Sequence, residues 1–126
     1  MSLLLDTHVF LWWVGEPARL PENVRTAIAD PATLVYVSAA SAWEISIKRA
    51  LERLDLRDEE FRYGIQESGF EELAIRFEHG LAAGDLPSHH RDPFDRMLIA
   101  QAKTEGLRLV THDRSMAAYD IDICWS

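Results

Sequence analysis

Residues 2–14 read SLLLDTHVFLWWV, in which two apolar runs are separated by the polar corner Asp6-Thr7. The first run, residues 2–5, has the length of a short buried strand, and the second, residues 8–14, is apolar on nearly every side, as a buried helix is. A strand that leads at once into a helix is the unit from which parallel sheets are built, because crossover helices join parallel neighbours. This stretch therefore predicts an α/β fold.

The same alternation continues along the rest of the chain. Apolar spacing and turn residues predict further strands at residues 34–37, 107–111 and 121–125, and helices at residues 21–30, 38–50, 57–68, 77–83, 93–105 and 112–118. Residues 70–75 fit either a strand or a turn, and residues 84–92 fit a loop. In the helix at 38–50, the core-facing stripe is expected to be Trp43, Ile47 and Ala50. We predict one three-layer α/β/α domain over residues 1–126, with about five short parallel strands.

The composition is typical of a globular domain. The 126 residues include 13 Lys and Arg against 21 Asp and Glu, for a formal net charge of −8, and 48% are hydrophobic. These values exclude a disordered chain or a disulfide scaffold, and Cys124 has no partner for an internal disulfide. No apolar run reaches the roughly 18–20 residues that span a bilayer, so we expect a cytoplasmic protein without membrane contact. An acidic chain attracts nucleic acid poorly unless a bound divalent cation locally reverses the charge.

Acidic side chains recur at equivalent places, close after a predicted strand or in the first turn of a predicted helix. They are Asp6, Glu44, Asp95 and Asp113. The carboxyl ends of parallel strands share one edge of a sheet, where ligands bind in such folds, so we expect these acids to meet there. Carboxylates gathered without matching cations raise one another's pKa, and a hard divalent ion such as Mg²⁺ relieves the repulsion.

Helix capping is the alternative explanation of these acids. Asp6, Asp92 and Asp113 lie where N-caps lie, and residues 41–44 have the form of a capping box. Capping alone does not require Asp95 in addition to Asp92, nor an acid at every junction along one edge. We therefore favour a metal site.

Four blocks of the chain carry these acids: residues 3–8 (LLLDTH), 41–48 (SAWEISIK), 90–102 (HRDPFDRMLIAQA) and 109–113 (LVTHD). Together they resemble the signature blocks of PIN-domain ribonucleases, and within that family they look most like the VapC-type toxins of bacterial toxin–antitoxin pairs. Each block alone is a weak signal, whereas four in the family's order over nearly the whole chain are a strong one.

The resemblance implies a Mg²⁺-dependent endoribonuclease that hydrolyses RNA with metal-activated water and leaves 5′-phosphate and 3′-hydroxyl ends, with Mn²⁺ as a possible substitute. It assigns the four acids Asp6, Glu44, Asp95 and Asp113, which we call the quartet, to catalysis and metal binding. Asp6 and Asp95 would be direct ligands, and Glu44 and Asp113 would complete the shell directly or through water. Thr7 and Thr111 match positions whose hydroxyls could orient carboxylates or serve the fold alone. The resemblance also implies a homodimer and a cognate antitoxin partner.

Basic side chains near the acids are the candidates for binding RNA phosphates. They are Lys48, whose alternative role is an i,i+4 ion pair with Glu44, and Arg91 and Arg96. His89 and His90 lie in the predicted loop at residues 84–92, next to the proposed site, and are candidates for contact with RNA. The histidine spacings match no common zinc pattern.

Phe10, Leu11, Trp12 and Trp13 make the first helix unusually apolar, which favours core packing, with part of this surface or of the helix around Trp43 left for a second copy or a partner protein. A Rossmann nucleotide-binding domain, which also has a parallel sheet, is excluded because no G-x-G-x-x-G turn follows the first strand. The remaining alternative is a catalytically silent PIN-like module that binds protein; loss of one quartet acid would mark it, and all four are present.

Overall fold

The computed structural model describes residues 2–89 and 91–125, and a five-stranded sheet forms its centre. The strands are β1 (Ser2–Leu5), β2 (Leu34–Ser38), β3 (Glu71–Leu73), β4 (Arg108–Val110) and β5 (Ile123–Cys124). They lie in the order β3-β2-β1-β4-β5, and every neighbouring pair is parallel. The predicted parallel α/β fold is confirmed, and the ambiguous residues 70–75 contain an edge strand.

Helices cover both faces of this sheet. They are α1 (Thr7–Gly15), α2 (Glu22–Ala29), α3 (Ala39–Ala50), α4 (Asp58–Ser68), α5 (Phe77–Asp85) and α6 (Pro93–Glu105), with 3₁₀ helices at Pro17–Arg19 and Arg114–Tyr119. In β1, Leu3 and Leu5 belong to one apolar core and Leu4 to the other, because successive strand side chains point to opposite faces. The central strand is thus buried on both sides, as a three-layer α/β/α fold requires. No helix in the described ranges is long and apolar enough to cross a membrane.

The predicted core stripe of α3 is wrong. Trp43 is 60% exposed and Ile47 37%, and Ala50 is also exposed. The helix instead buries Ala40, Ser41, Glu44 and Ile45. The face that packs inward therefore includes two polar side chains, which a search for apolar spacing does not select.

The capping box predicted at residues 41–44 is also absent. The helix begins three residues earlier, where Ser38 is the N-cap and its Oγ accepts a hydrogen bond from the amide of Ala40 at 2.9 Å. Ser41 and Glu44 consequently lie inside the helix, and their side chains are used for other contacts.

The two adjacent tryptophans of α1 are half-buried in separate contacts. Trp12 packs against the Trp125 ring at 6.3 Å between centroids, and the Arg19 guanidinium lies 4.6 Å over its ring. The Trp13 Nε1 donates to the Ser68 Oγ at 2.9 Å. These contacts agree with the predicted core role of the apolar helix.

Candidate active site

The candidate site lies beside β1, the strand from which the sheet grows first to one side and then to the other. From β1, the central strand, the sheet extends through β2 on one side and through β4 on the other. Ligand sites in open parallel sheets form outside the carboxyl ends of strands at such a switch point. Asp6 directly follows β1, and its amide donates to the Val110 carbonyl of β4 at 2.9 Å, which ties the two strand ends together.

Asp6 is a buried carboxylate with two hydrogen-bond donors. Its Oδ2 accepts from the Thr111 hydroxyl at 2.7 Å, and its Oδ1 accepts from the His8 amide at 3.2 Å. Burial nevertheless raises the pKa of Asp6 above its ordinary value, and the nearby Glu44 charge acts in the same direction. The two donors lower the pKa of Asp6 without compensating for the burial.

Asp95, in the first turn of α6, shows that the predicted acids meet. Its pKa is raised to about 7, chiefly by burial. The remaining causes are like charges, contributed in decreasing order by Asp92, Asp6, Glu44 and Asp113. Every other member of the predicted quartet therefore lies close enough to repel the Asp95 carboxylate.

Glu44 reaches the site from α3, one turn beyond the start of the helix. It is buried, and its Oε2 lies 3.1 Å from the Lys48 Nζ. The first turn of α3 is fixed against the start of α1, because the Thr7 hydroxyl donates to the Ser41 Oγ at 2.8 Å. Thr7 thus positions the helix that carries Glu44 and contacts no carboxylate.

Asp113 follows β4 and caps the 3₁₀ helix at Arg114–Tyr119. Its Oδ1 accepts from the amide of Ser115 at 3.0 Å and from the Ser115 hydroxyl. Its own amide donates to the Thr111 Oγ1 at 3.1 Å, and the same hydroxyl donates to Asp6. Thr111 therefore links two acids of the quartet. Its position at a strand end allowed such a role but did not specify these contacts.

Capping accounts for some of the acids but not for the site. Asp6, Asp113 and Asp92 all cap helices, the last by accepting from the amides of Phe94 at 2.8 Å and Asp95 at 3.1 Å. Glu44 and Asp95 cap nothing, yet both are brought toward the same edge. Capping explains why Asp6, Asp92 and Asp113 lie at the starts of helices. It does not explain why the four acids of the quartet converge.

The predicted phosphate contacts differ in what their side chains do. Lys48 forms the i,i+4 ion pair with Glu44 described above and is part-exposed. The Arg96 guanidinium donates to three backbone carbonyls of the preceding segment, those of Ala83 at 2.8 Å, Pro87 at 2.9 Å and Leu86 at 3.0 Å. Arg96 thus anchors the connection between α5 and α6, while Arg91 is exposed just before α6.

Among the histidines, whose spacings predict no zinc site, His8 lies beside the candidate site. Its Nδ1 is 3.9 Å from the Asp6 Oδ1, and its ring is largely exposed. In the sequence, the signal that could have placed His8 at the site is its position two residues after Asp6. His89 packs against the Tyr119 ring at 5.0 Å between centroids, and His112 packs against Trp125 at 5.4 Å. His90 lies outside the described residues.

The donor set of the site suits a hard divalent cation. All four predicted ligands are carboxylates, and Mg²⁺ and Mn²⁺ both prefer oxygen ligands. Burial first and the like charges of the neighbouring acids second raise the pKa of Asp95, and a bound cation would offset that repulsion. The quartet is more open than a second group, Glu78, His79 and Glu105, whose ligand atoms lie within 4.8 Å of one another.

That second group is distant from the quartet. Asp95 and Glu105 stand at opposite ends of α6, ten residues apart, which is about 15 Å along a helix axis. The two groups are therefore separate.

Fold and site together define a three-layer α/β domain with an acidic centre at the switch point of a parallel sheet. The family model of the PIN domain matches residues 3–122, and the chain belongs to the PIN domain family. Ribonuclease VapC22 of Mycobacterium tuberculosis (strain ATCC 25618 / H37Rv) is 33% identical over 121 residues, covering 94% of this chain and 92% of the relative. The resemblance found in the sequence is thereby confirmed.

Solved structures support the fold independently. VapBC2 from Rickettsia felis, bound to a DNA fragment from its promoter, matches with a TM-score of 0.74 and 14% identity and covers 100% of both chains. FitAcB from Neisseria gonorrhoeae matches with a TM-score of 0.61 and 23% identity over 96% of this chain and 95% of its own. At these identities the likeness establishes the three-dimensional arrangement alone.

Proposed function

We propose that this PIN domain, acting as one unit over residues 1–126, is a divalent-cation-dependent endoribonuclease of the VapC type. It cuts RNA phosphodiester bonds and leaves 5′-phosphate and 3′-hydroxyl ends. The observation that carries the proposal is the convergence of Asp6, Glu44 and Asp113 on Asp95, whose pKa their charges help to raise to about 7. The similarity to a relative named as a ribonuclease supports the same chemistry.

In this proposal Asp6 and Asp95 hold Mg²⁺, or Mn²⁺ in its place, and Glu44 and Asp113 complete the ligand set directly or through water. An ion held by these residues would supply activation of a water molecule and neutralisation of charge on the phosphoryl oxygens. Thr111 keeps Asp6 oriented by the 2.7 Å hydrogen bond to its Oδ2. No side chain is required as a general base.

In this proposal Lys48 and Arg91 bind the RNA phosphates. Arg96 contributes mainly by holding the segment between α5 and α6 in place. Lys48 lies on the site side of α3, next to Glu44. With a net charge of −8, the protein has few cations to offer, so RNA affinity is modest and falls with salt in proportion to the few phosphates that these cations contact.

The direct test is cleavage of a panel of structured RNAs by the purified chain in Mg²⁺, in Mn²⁺ and in EDTA. Asp95→Asn keeps the size of the side chain and removes the charge; Asp85→Asn, an exposed acid at the end of α5, is the matched control. We expect cleavage only with metal, at least about 100-fold slower in Asp95→Asn and unchanged in Asp85→Asn. A 5′-monophosphate-dependent exonuclease should digest the products.

Cleavage that persists in EDTA or in Asp95→Asn contradicts the proposal. A protein that cuts no RNA in either metal supports the catalytically silent module instead.

The partners that we propose are a cognate antitoxin and a second copy of the chain, in the cytoplasm. The likeness to the VapBC2 and FitAcB structures supports the antitoxin. For the second copy, the support is an apolar face on α5, where Phe77 is 84% exposed and Leu81 follows one turn later, also exposed. Large exposed apolar side chains side by side favour a protein contact.

Light scattering tests the homodimer. We expect the mass of a dimer for the wild type and of a monomer for Phe77→Glu. Tyr63→Glu, an exposed aromatic on α4, should leave the dimer intact. A monomeric wild type contradicts the dimer, and a dimeric Phe77→Glu places its interface elsewhere.

A further inference from the structure

An exposed aromatic pair stands beside the quartet. The rings of Trp43 and Phe94 meet nearly edge to face, with centroids 5.1 Å apart and planes inclined by 74°. Trp43 is 60% exposed and Phe94 is half-buried, so the indole forms most of the accessible surface of the pair. Neither the fold nor the proposed metal site accounts for so large an apolar side chain in solvent.

The pair is placed by the same two helices that carry the acids. Trp43 directly precedes Glu44 on α3, and Phe94 directly precedes Asp95 on α6. Successive helical residues point about 100° apart, so on α3 Glu44 is buried while Trp43 is 60% exposed, and on α6 both Phe94 and Asp95 are half-buried. The rings therefore flank the place where the scissile phosphate would bind.

We propose that the Trp43 indole binds the RNA by stacking on an unpaired base next to the phosphodiester bond that the quartet cleaves, with Phe94 holding the indole in place. This inference rests on the proposed function and assigns one residue, Trp43, to binding a base of the RNA beside the cleaved bond. Aromatic side chains stack on the face of any base without needing charge. Such binding suits a chain with 13 basic and 21 acidic residues, whose attraction to phosphates is weak.

The test uses an RNA hairpin that the wild type cleaves in its loop, with the loop nucleotides replaced one at a time by abasic residues. Trp43→Ala removes the platform, and Trp43→Phe keeps an aromatic ring. The matched control is Leu51→Ala, since Leu51 is 59% exposed on the turn that ends α3, two helical turns beyond Trp43. Thermal melting of each variant checks that it folds.

We expect Trp43→Ala to raise KM about tenfold with kcat within about twofold, and Trp43→Phe to restore most of the loss. Leu51→Ala should match the wild type. At one loop position the abasic residue should raise KM of the wild type about tenfold and leave that of Trp43→Ala unchanged, because the two changes remove the same contact.

The outcomes separate the two proposals. If the wild type cleaves RNA with metal and Trp43→Ala has the same KM, the stacking inference is overturned and the nuclease stands. A KM that is unchanged while the dimer mass or antitoxin binding is lost in Trp43→Ala assigns the indole to a protein contact and likewise overturns the inference. Absence of metal-dependent cleavage in the wild type overturns the proposed function, and the inference with it.

Discussion

Two groups of polar side chains lie toward opposite ends of α6, and they differ in how their polar atoms are paired. The quartet edge brings together the carboxylates of Asp6, Glu44, Asp95 and Asp113, and the Lys48 ammonium pairs with that of Glu44. Near the other end of α6, a chain of hydrogen bonds, which we call the His79 network, runs through Ser38, Gln101, His79 and Glu105. Like charges gather in the first group, whereas hydrogen bonds between donors and acceptors hold the second together.

In the His79 network each polar atom has a partner. The His79 Nδ1 accepts from the Arg76 amide at 2.9 Å, so the proton of the neutral ring resides on Nε2, which donates to the Glu105 Oε2 at 2.9 Å. Gln101 accepts from Ser38 and donates to the Ala74 carbonyl at 3.2 Å. Since Nε2 carries the proton, it offers no lone pair to a metal, although Glu78, His79 and Glu105 are the more compact set.

The difference teaches that gathered like charges point to a candidate site better than compactness does. A network whose hydrogen bonds are paired stabilises the fold. At the quartet, burial and like charges raise the pKa of Asp95, and perturbed groups of this kind cluster at functional sites.

The largest effect that the comparison predicts is on stability. His79→Ala opens a cavity, removes the acceptor of the Arg76 amide and takes away one contact of Gln101, so it should lower the free energy of unfolding by about 3 kcal/mol. Urea denaturation measures the change, with Tyr63→Ala on the exposed face of α4 as the control. A loss below about 1 kcal/mol would show that the network is not a structural support.

A smaller effect is expected on cation binding. Thr111→Val keeps the side-chain shape but removes the hydroxyl that donates to the Asp6 Oδ2, so Mn²⁺ should bind about tenfold more weakly. Thr7→Val is the matched control, because its hydroxyl contacts Ser41 and no carboxylate. Equal Mn²⁺ affinities of the two variants in calorimetry would rule out the orienting role of Thr111.

The smallest effect is a pH dependence of the metal-free protein. Asp95 has a pKa near 3.8 when unfolded and about 7 when folded, so between these values the folded state binds more protons. Stability in EDTA should therefore fall as pH rises from about 4 to about 7 and then level off. Asp95→Asn should flatten this fall and melt higher than the wild type at pH 7.5.

Melting curves in EDTA from pH 5 to pH 8 check this, with the exposed Glu67→Gln as the control. A metal-free wild type that becomes more stable as pH rises across this window would be at odds with an acid of raised pKa.

The fold and the quartet could be predicted from the sequence because both follow from local order. The apolar residues 2–5 had to be a buried strand, and acids placed after strands or early in helices had to meet at one edge of a parallel sheet. Residues 70–75 stayed ambiguous because their strand is only Glu71–Leu73, at the edge of the sheet.

The orientation of α3 and the contacts of the hydroxyls could not be predicted. The inner face of α3 includes Ser41 and Glu44, which satisfy hydrogen bonds and an ion pair at the site, so apolar spacing selected the outer face with Trp43 instead. The hydrogen bond between Thr111 and Asp6 joins residues 105 positions apart. Nothing in the local pattern encodes such a pairing.

The most direct test of the central claim is calorimetric titration of Mn²⁺ into the wild type, Asp95→Asn and Glu105→Gln at pH 7.5. The two variants neutralise one acid each at opposite ends of α6. We predict one site per chain, bound at least about tenfold more weakly by Asp95→Asn and unchanged in Glu105→Gln. Binding that survives in Asp95→Asn and disappears in Glu105→Gln would place the cation among Glu78, His79 and Glu105 and contradict the account.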